Sequence, residues 1–182
     1  MNSIENKLKY KDVHKGGNDF FEDIYRELAK PLYRFIYLKV SSSQIAEELM
    51  QEAFIRFIKI VRRMDHGLDE LNIKAYIYKI ARNLIKDHYR VSGQMVTVEM
   101  TEALGGADKS QDPQIIGEMQ LVVDSLEEIK PLWRDIIILK EIQGLNLKEI
   151  SYIIGKSYGA TRVLAYRALK ELRQIIKSKV NE

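Results

Sequence analysis

Apolar side chains recur at intervals of three and four residues over much of the chain, and this spacing predicts amphipathic helices. The first predicted helix spans 20–39, with Pro31 as a site for a kink. Serines at 41–43 are suitable N-caps for a second helix that covers 46–61. A third helix covers 73–90. We therefore expect three packed helices in the first half of the chain, with a polar loop before the third.

The helical pattern stops at residue 91 and resumes at residue 118. Gly, Ser, Asp and Pro accumulate between these points, so 91–117 is predicted to be a mobile linker. An amphipathic segment over 118–129 follows, and Pro131 then opens a helix that ends at Gly144. The second half is therefore predicted to be helical too.

A short helix, a turn and a long helix end the chain. Asn146 is predicted to cap the short helix, Gly155 to end it, and Ser157 to cap a long helix over about 159–178. This order is typical of a helix-turn-helix, in which the second helix enters the major groove of DNA.

The long helix has two distinct faces. Small and apolar residues are predicted to pack inward at Thr161, Ala165, Ala168 and Leu172. The outer face carries Val163, Tyr166, Arg167 and Lys170, flanked by Arg162 and Arg173. Guanidinium and ammonium groups there can reach phosphates or the acceptor edge of guanine. A solvated basic helix on a plain bundle, or one that touches a membrane, is the alternative interpretation.

The composition narrows the fold class. The chain has 182 residues, of which 46% are hydrophobic, with three Pro and no Cys, so disulfides, Cys-ligated zinc and thiol nucleophiles are excluded. It contains no apolar run long enough to cross a membrane and no signal peptide, and we expect a soluble cytoplasmic protein. We predict an all-α fold with two small helical domains, 1–90 and 118–182, joined by the flexible linker.

Charge is concentrated in two basic blocks. Residues 74–90 hold five basic residues and one acid, and residues 156–179 hold seven and one. Two separate blocks suggest two contacts with a polyanion. Tyr76, Tyr78 and Tyr89 lie among the first set, where aromatic rings can stack on unpaired bases, although at least one of them is expected in the core.

An acidic surface is predicted on the second helix. Residues 41–55 carry Glu47, Glu48 and Glu52 and no basic residue, so DNA would be repelled and a protein partner is favoured. A solvated helix face is the simpler alternative.

Three motifs in order resemble the extracytoplasmic-function (ECF) group of bacterial sigma factors. AEELMQEAFIRF at 46–57 is similar to region 2.2, AYIYKIARNLIKDHYR at 75–90 to regions 2.3 and 2.4, and KEISYIIGKSYGATRVLAYRALKELR at 148–173 to region 4.2. The resemblance implies a region 2 helical bundle and a region 4 helix-turn-helix. It implies binding to core RNA polymerase and recognition of minus-10 and minus-35 promoter DNA, and no enzymatic activity.

The resemblance assigns three sets of residues. The polymerase set is Glu47, Glu48, Leu49, Gln51, Glu52 and Phe54. The minus-10 set is Asp69, Asn72, Tyr76, Lys79, Arg82, Asn83, Lys86 and Arg90, all on or beside the third helix. The minus-35 set is Ser157, Tyr158, Gly159, Arg162, Val163, Tyr166, Arg167 and Lys170.

The sequence departs from the family pattern at several positions. Ile45 stands where an Asp usually precedes the Ala-Glu run, and Tyr76 replaces the usual Trp of the third helix. Val163 and Leu164 replace polar residues that often touch DNA, so the minus-35 sequence does not transfer from relatives. The resemblance also implies an anti-sigma partner, which these residues do not identify.

Two other classes of function stay open at this point. A helix-turn-helix repressor or activator accounts for the last 60 residues or so but leaves the acidic motif unexplained. An enzyme is the weaker option, since His14, His66 and His88 have no metal-ligand spacing and GGADKS lacks the order of a phosphate-binding loop. We therefore expect no metal and no cofactor.

Overall fold

The computed structural model describes residues 18–63, 73–92, 121–122 and 124–180. Within these ranges the regular elements are helices and no strand occurs, which confirms the all-α prediction. The α-helices are α1 (Asn18–Val40), α2 (Ser43–Val61), α3 (Ile73–Ser92), α4 (Pro131–Ile137), α5 (Leu147–Ile154) and α6 (Tyr158–Val180). None of these helices is both long and apolar enough to cross a membrane.

The first three helices pack on one another as a bundle. One large aromatic ring from each is fully buried, namely Phe35 of α1, Phe57 of α2 and Tyr78 of α3. The Phe35 and Tyr78 rings meet edge to face, with 5.2 Å between centroids. Burying such a side chain stabilises the fold by about 1.5–3 kcal/mol, so the apolar stripes seen in the sequence form a core.

The turn between α1 and α2 is capped as predicted. Pro31 lies inside α1, which continues to Val40. Ser41 then takes a φ of +55° and the chain reverses. The side chain of Ser42 accepts a hydrogen bond from the backbone N–H of Ile45 at 3.4 Å, which makes Ser42 the N-cap of α2.

The helix that Pro131 opens ends in a wider turn than the sequence predicts. α4 runs into a π-helical turn, Ile138–Ile142, in which the backbone N–H of Gln143 donates to Ile138 O at 3.0 Å. The chain leaves this turn through Gly144, whose φ is +65°. The predicted end at Gly144 is confirmed, but the π-turn has no signal in the apolar spacing.

The helix-turn-helix caps are those predicted. The Asn146 side chain accepts from the N–H groups of Lys148 and Glu149 at 2.9 and 3.1 Å, and the Glu149 carboxylate accepts from Asn146 N–H at 2.7 Å. This capping box starts α5. Gly155 ends α5 with a φ of +68°, a conformation that favours glycine.

Both halves of the molecule share one continuous hydrophobic cluster. In particular, α3 packs directly against α5. Most of the predicted linker, the loop 64–72 and the start of the 118–129 segment lie outside the described residues, although Val91 and Ser92 still belong to α3. The apolar pattern did not reveal that the two helical groups lie against each other.

Candidate interaction surfaces

The outer face of α6 is accessible along its first half. All eight residues of the predicted minus-35 set are exposed, namely Ser157, Tyr158, Gly159, Arg162, Val163, Tyr166, Arg167 and Lys170. Tyr166 is 69% exposed, which is unusual for a tyrosine in a folded domain. Arg162 and Arg167 form no ion pair with any residue that the structure describes. Their guanidinium groups are therefore available to an anionic ligand.

The inner face of α6 holds this surface in position. Thr161, Ala165, Ala168 and Leu172 are all buried, as their spacing predicted. The Thr161 hydroxyl donates to Ser157 O at 2.9 Å, and Ser157 Oγ accepts from Ala160 N–H at 3.2 Å, which confirms Ser157 as the cap. With one face packed and its start capped, α6 cannot rotate its basic face away from solvent.

The acidic face of α2 is also exposed, but it is partly paired. Glu47, Glu48 and Gln51 are exposed, and Glu52 is partly so. Arg56 donates to Glu52 at 2.7 Å one turn along the helix. A surface pair of this kind is worth at most about 1 kcal/mol, so Glu52 can exchange it for another partner at little cost.

Phe54 does not belong to this exposed face. The side chain is only 6% exposed, and its ring lies 4.9 Å from that of Tyr25 on α1. The assignment of Phe54 to a surface contact is therefore corrected: it falls on the apolar stripe of α2 and packs in the core. Leu49 is half-buried, whereas Ile55 is 44% exposed beside the acidic residues. Ile55 lies off the apolar stripe of α2, so the apolar spacing gave no reason to include it in the polymerase set.

Part of α3 presents the free surface that the sequence predicted. Asn83, Lys86 and Arg90 are exposed, and Arg90 lies 3.3 Å from Asp87 on the same helix. Asp69 and Asn72, also in the minus-10 set, lie outside the described residues.

The other residues of the α3 set contact the second half of the chain. The Tyr76 ring stacks on Tyr152 of α5 with 6.4 Å between centroids. The Lys79 ammonium lies 3.9 Å from the centre of the same Tyr152 ring, a close cation–π contact. These two side chains are partly buried as a result.

Arg82 is buried, contrary to the prediction of a free basic face. It is 7% exposed, and its Nε donates to the carboxylate of Asp135 at 2.7 Å. Lys39 of α1 donates to the other oxygen of the same carboxylate. The periodicity of α3 places Arg82 near Lys79 and Lys86 but cannot show that α4 covers it. We refer to Lys39, Arg82 and Asp135 as the Asp135 cluster.

Tyr78 confirms that at least one tyrosine of α3 belongs to the core. Its ring is fully buried, and its hydroxyl donates to Gln143 Oε1 at 2.7 Å, just past the π-turn. Burial raises its pKa well above the usual value for tyrosine. The backbone oxygen of Gln143 accepts from Lys74 at 2.9 Å. Gln143, which directly follows the π-turn, thus accepts hydrogen bonds from two residues of α3, one through its side chain and one through its backbone.

When Lys39 is protonated, the Asp135 cluster carries more positive than negative charge. Burial, followed in order by the nearby Arg82, Arg134 and Lys86, lowers the pKa of Lys39 to about 7. Burial also lowers the pKa of Arg82. One carboxylate cannot fully neutralise two buried cations, so this contact is costly for a purely structural role.

No set of His, Asp and Glu side chains suitable for holding a metal occurs among the described residues. Comparison with known proteins shows what the chain is similar to. Residues 24–94 match the family model of sigma-70 region 2. The chain is 28% identical over 167 residues to the ECF RNA polymerase sigma factor BldN of Streptomyces coelicolor, covering 88% of this chain and 62% of BldN.

Other relatives match over more of their own length. The ECF RNA polymerase sigma factor SigM of Bacillus subtilis is 27% identical over 165 residues, covering 88% of this chain and 98% of SigM. The fold is similar to that of the sigma factor RpoE, solved with the anti-sigma factor NepR from Bartonella quintana, with a TM-score of 0.65 at 23% identity over 86% and 98% of the two chains. The chain is thus similar to ECF sigma factors along most of its length, and its first half matches the sigma-70 region 2 model, as its motifs predicted.

Proposed function

We propose that this protein binds core RNA polymerase and directs transcription initiation at promoters that carry a minus-10 and a minus-35 element. The observation that carries the proposal is that sigma-factor relatives align with both halves of the chain and not with the helix-turn-helix alone. Residues 1–90 would form region 2, residues 91–117 the linker and residues 118–182 region 4. The family consists of transcription initiation factors and not of enzymes.

The exposed face of α6 is the proposed reader of the minus-35 element. Arg162 and Arg167 are exposed on one side of a helix whose opposite side is packed. Arginine can make two hydrogen bonds to guanine in the major groove, so these two residues are the proposed base contacts and Lys170 a phosphate contact. Gly159 is exposed at the helix start, where the backbone can approach DNA closely.

The acidic face of α2 is the proposed polymerase contact. Glu47, Glu48 and Gln51 are exposed there, and the half-buried Leu49 and the exposed Ile55 add apolar area. A surface that combines carboxylates with isolated apolar side chains suits a protein partner better than a nucleic acid.

The third helix and the loop before it are the proposed minus-10 reader. Asn83, Lys86 and Arg90 are exposed on α3, and Asp69 and Asn72 are assigned by resemblance. Tyr76, Lys79 and Arg82 complete the set, and aromatic rings beside cations suit unpaired bases on a phosphate backbone.

A regulatory protein partner is also proposed. RpoE of the Bartonella quintana complex was solved with an anti-sigma factor and has a similar fold, which supports an inhibitor of this chain of the same kind. The polymerase and promoter DNA place the activity in the cytoplasm.

Run-off transcription with purified core polymerase on a promoter library tests the proposal. We expect transcripts from a subset of promoters only when this protein is added. A gel shift on the selected promoters, with and without core polymerase, is the companion measurement. Tight binding of duplex without polymerase, together with no transcript, would replace the proposal by a repressor or activator that acts alone.

A further inference from the structure

The outer face of α6 has an apolar centre between its basic residues. Val163 is 45% exposed, Tyr166 is more exposed still, and Gly159 lies one turn before Val163. With about 100° of rotation per residue, Val163 lies about 160–180° around the helix from the buried Thr161 and Leu172. Val163 is therefore on the side of α6 that faces most directly away from the packed side.

The arginines of this face lie on either side of its apolar centre. By the same rotation, Arg162 and Arg167 are only about 80–140° from the buried Thr161 and Leu172. Neither arginine forms an ion pair with a residue that the structure describes. Two guanidinium groups that flank an apolar centre fit a groove with phosphates along its edges and bases on its floor. The arrangement of charge therefore favours duplex DNA as the ligand.

Gly159 is not required by the packing of the protein itself. Unlike Gly144 and Gly155 it has no positive φ, and no described atom lies within 4 Å of the position that a Cβ would take. Alanine is more stable than glycine in a helix, so the fold alone does not account for glycine here. A bare backbone one turn before Val163 lets the start of α6 approach a ligand closely.

The side chain of Val163 suits one chemical group of the major groove. The apolar group that a base edge presents there is the 5-methyl group of thymine. Valine has no hydrogen-bonding group in its side chain, so contact with guanine or cytosine would leave donors or acceptors of the base unpaired. Its β-branched side chain is also stiff, which fixes where its methyl groups lie. Val163 therefore favours a thymine at the base pair that it meets.

We propose that Val163, with Tyr166 one turn later, recognises the 5-methyl groups of thymines in the minus-35 element. This recognition rests on the proposed function, in which the exposed face of α6 enters the major groove at that element. It adds the base and the chemical group that this chain selects. Arg162 and Arg167 hold α6 in the groove from its two sides, whereas the apolar centre selects A·T pairs.

The first test removes the methyl groups one at a time. Duplexes are enriched from a randomised library by the full chain, with and without core polymerase, and each thymine of the enriched element is then replaced by deoxyuridine. We expect binding to fall about fourfold at each thymine that Val163 or Tyr166 contacts, which is the effect of one buried methyl group. If no thymine responds, or if neither condition enriches a sequence, the recognition of methyl groups is wrong.

Variants of the protein assign each methyl group to a side chain. Val163→Ala should bind thymine and deoxyuridine equally at one position that the unchanged protein distinguishes, and Tyr166→Ala at another. Val180→Ala is the matched control, since it makes the same change at an exposed valine of α6 outside the predicted minus-35 set. It should keep the full loss at both positions. A Val163→Ala protein that still distinguishes the two bases at every position would exclude Val163 from this role.

Gly159→Ala tests the close approach of α6 to the bases. The midpoint of urea denaturation should not fall, whereas affinity for the enriched duplex should drop at least about fivefold, because the added methyl group meets the DNA. Unchanged affinity would show that the start of α6 stays clear of the groove floor and would overturn the contact of Val163. Run-off transcription on the enriched element tests the proposed function separately. Thymine-dependent binding without any transcript would count against the proposed function and would support the recognition of thymine.

Discussion

The two basic helices, α3 and α6, look alike in the sequence and differ in the folded protein. Each belongs to a basic block with one acid and carries arginine and lysine opposite an apolar stripe. On α6 the basic face is exposed, whereas on α3 Arg82 is buried and Lys79 is partly covered. Amphipathic spacing therefore identifies the face of a helix that packs within its own helical group. It does not identify the face that the other half of the chain covers.

The largest expected effect is a loss of stability at α3, the helix whose basic face is partly covered. Asp135→Ala removes the only carboxylate of the Asp135 cluster and leaves Arg82, together with Lys39 where it is protonated, as a buried cation without that partner. Removing one partner of a buried ion pair typically costs about 3–5 kcal/mol. We expect most of this loss to appear as separation of the two halves, seen as faster hydrogen exchange in α3.

The control for this variant is Glu141→Ala, which removes an exposed ion pair with Lys140 in the same segment. Its effect should be no more than about 1 kcal/mol. If Asp135→Ala changes the free energy of unfolding by as little as Glu141→Ala does, the Asp135 cluster has no role in holding the halves together.

The second effect concerns the exposed helix. Arg167→Ala should reduce discrimination among minus-35 sequences by about 1–3 kcal/mol if the guanidinium binds a base edge, because both hydrogen bonds are lost. Run-off transcription on promoters changed one base at a time measures it. Arg26→Ala, an exposed arginine on α1, is the matched control. A uniform loss on every promoter would reassign Arg167 to a phosphate contact.

The third effect is on α5, which packs against both α3 and α6. Asn146→Ala removes the side chain that accepts two backbone hydrogen bonds at the start of α5, at a cost of about 0.5–2 kcal/mol. The midpoint of urea denaturation should fall accordingly. Ser178→Ala, near the end of α6, should change the free energy of unfolding by less than about 0.5 kcal/mol. A midpoint unchanged by Asn146→Ala would rule out a stabilising role for this cap.

The fourth effect is a pH dependence of the free energy of unfolding, which comes from Lys39 beside α3. Burial, and then the nearby Arg82, Arg134 and Lys86, lower the pKa of Lys39 from 10.5 to about 7. Between these values the unfolded chain binds a proton at Lys39 that the folded chain does not, so stability should rise with pH across this window. Below pH about 7 Lys39 is protonated in both states and the penalty is fully present.

Urea denaturation between pH 7 and 9.5 should therefore show a stability gain in the unchanged protein that Lys39→Met lacks. The upper limit avoids the titration of Tyr78 and Tyr89, whose pKa values are raised mainly by burial. Parallel pH profiles for the two proteins would show that Lys39 is not the group responsible.

Much of the fold can be predicted from the sequence because it depends on residues that lie close together along the chain. Asn146, Gly155 and Ser157 lie within a few residues of the backbone groups that they cap or turn. The inward face of α6 follows from the helical repeat alone. The motifs of the polymerase and minus-35 sets are local in the same sense, and most of those residues are exposed, with Phe54 as the buried exception.

The π-turn and the Asp135 cluster are the features that local reasoning missed. The turn replaces the last α-helical hydrogen bonds without altering the apolar spacing, so no repeat reveals it. The bond between Arg82 and Asp135 joins residues 53 positions apart, and that between Lys39 and Asp135 joins residues 96 apart. No pattern over one or two helical turns contains such a pair.

The amino-acid sequence by itself determined the helices, their caps, the two basic blocks and the resemblance to ECF sigma factors, because each depends on residues close together along the chain. Only the tertiary structure decided which basic face is covered, since Tyr152 and Asp135 reach α3 when the second half packs against the first. Burial is a property of the whole packed molecule, and it distinguishes Arg82 from Arg167 although both look like surface arginines in the sequence.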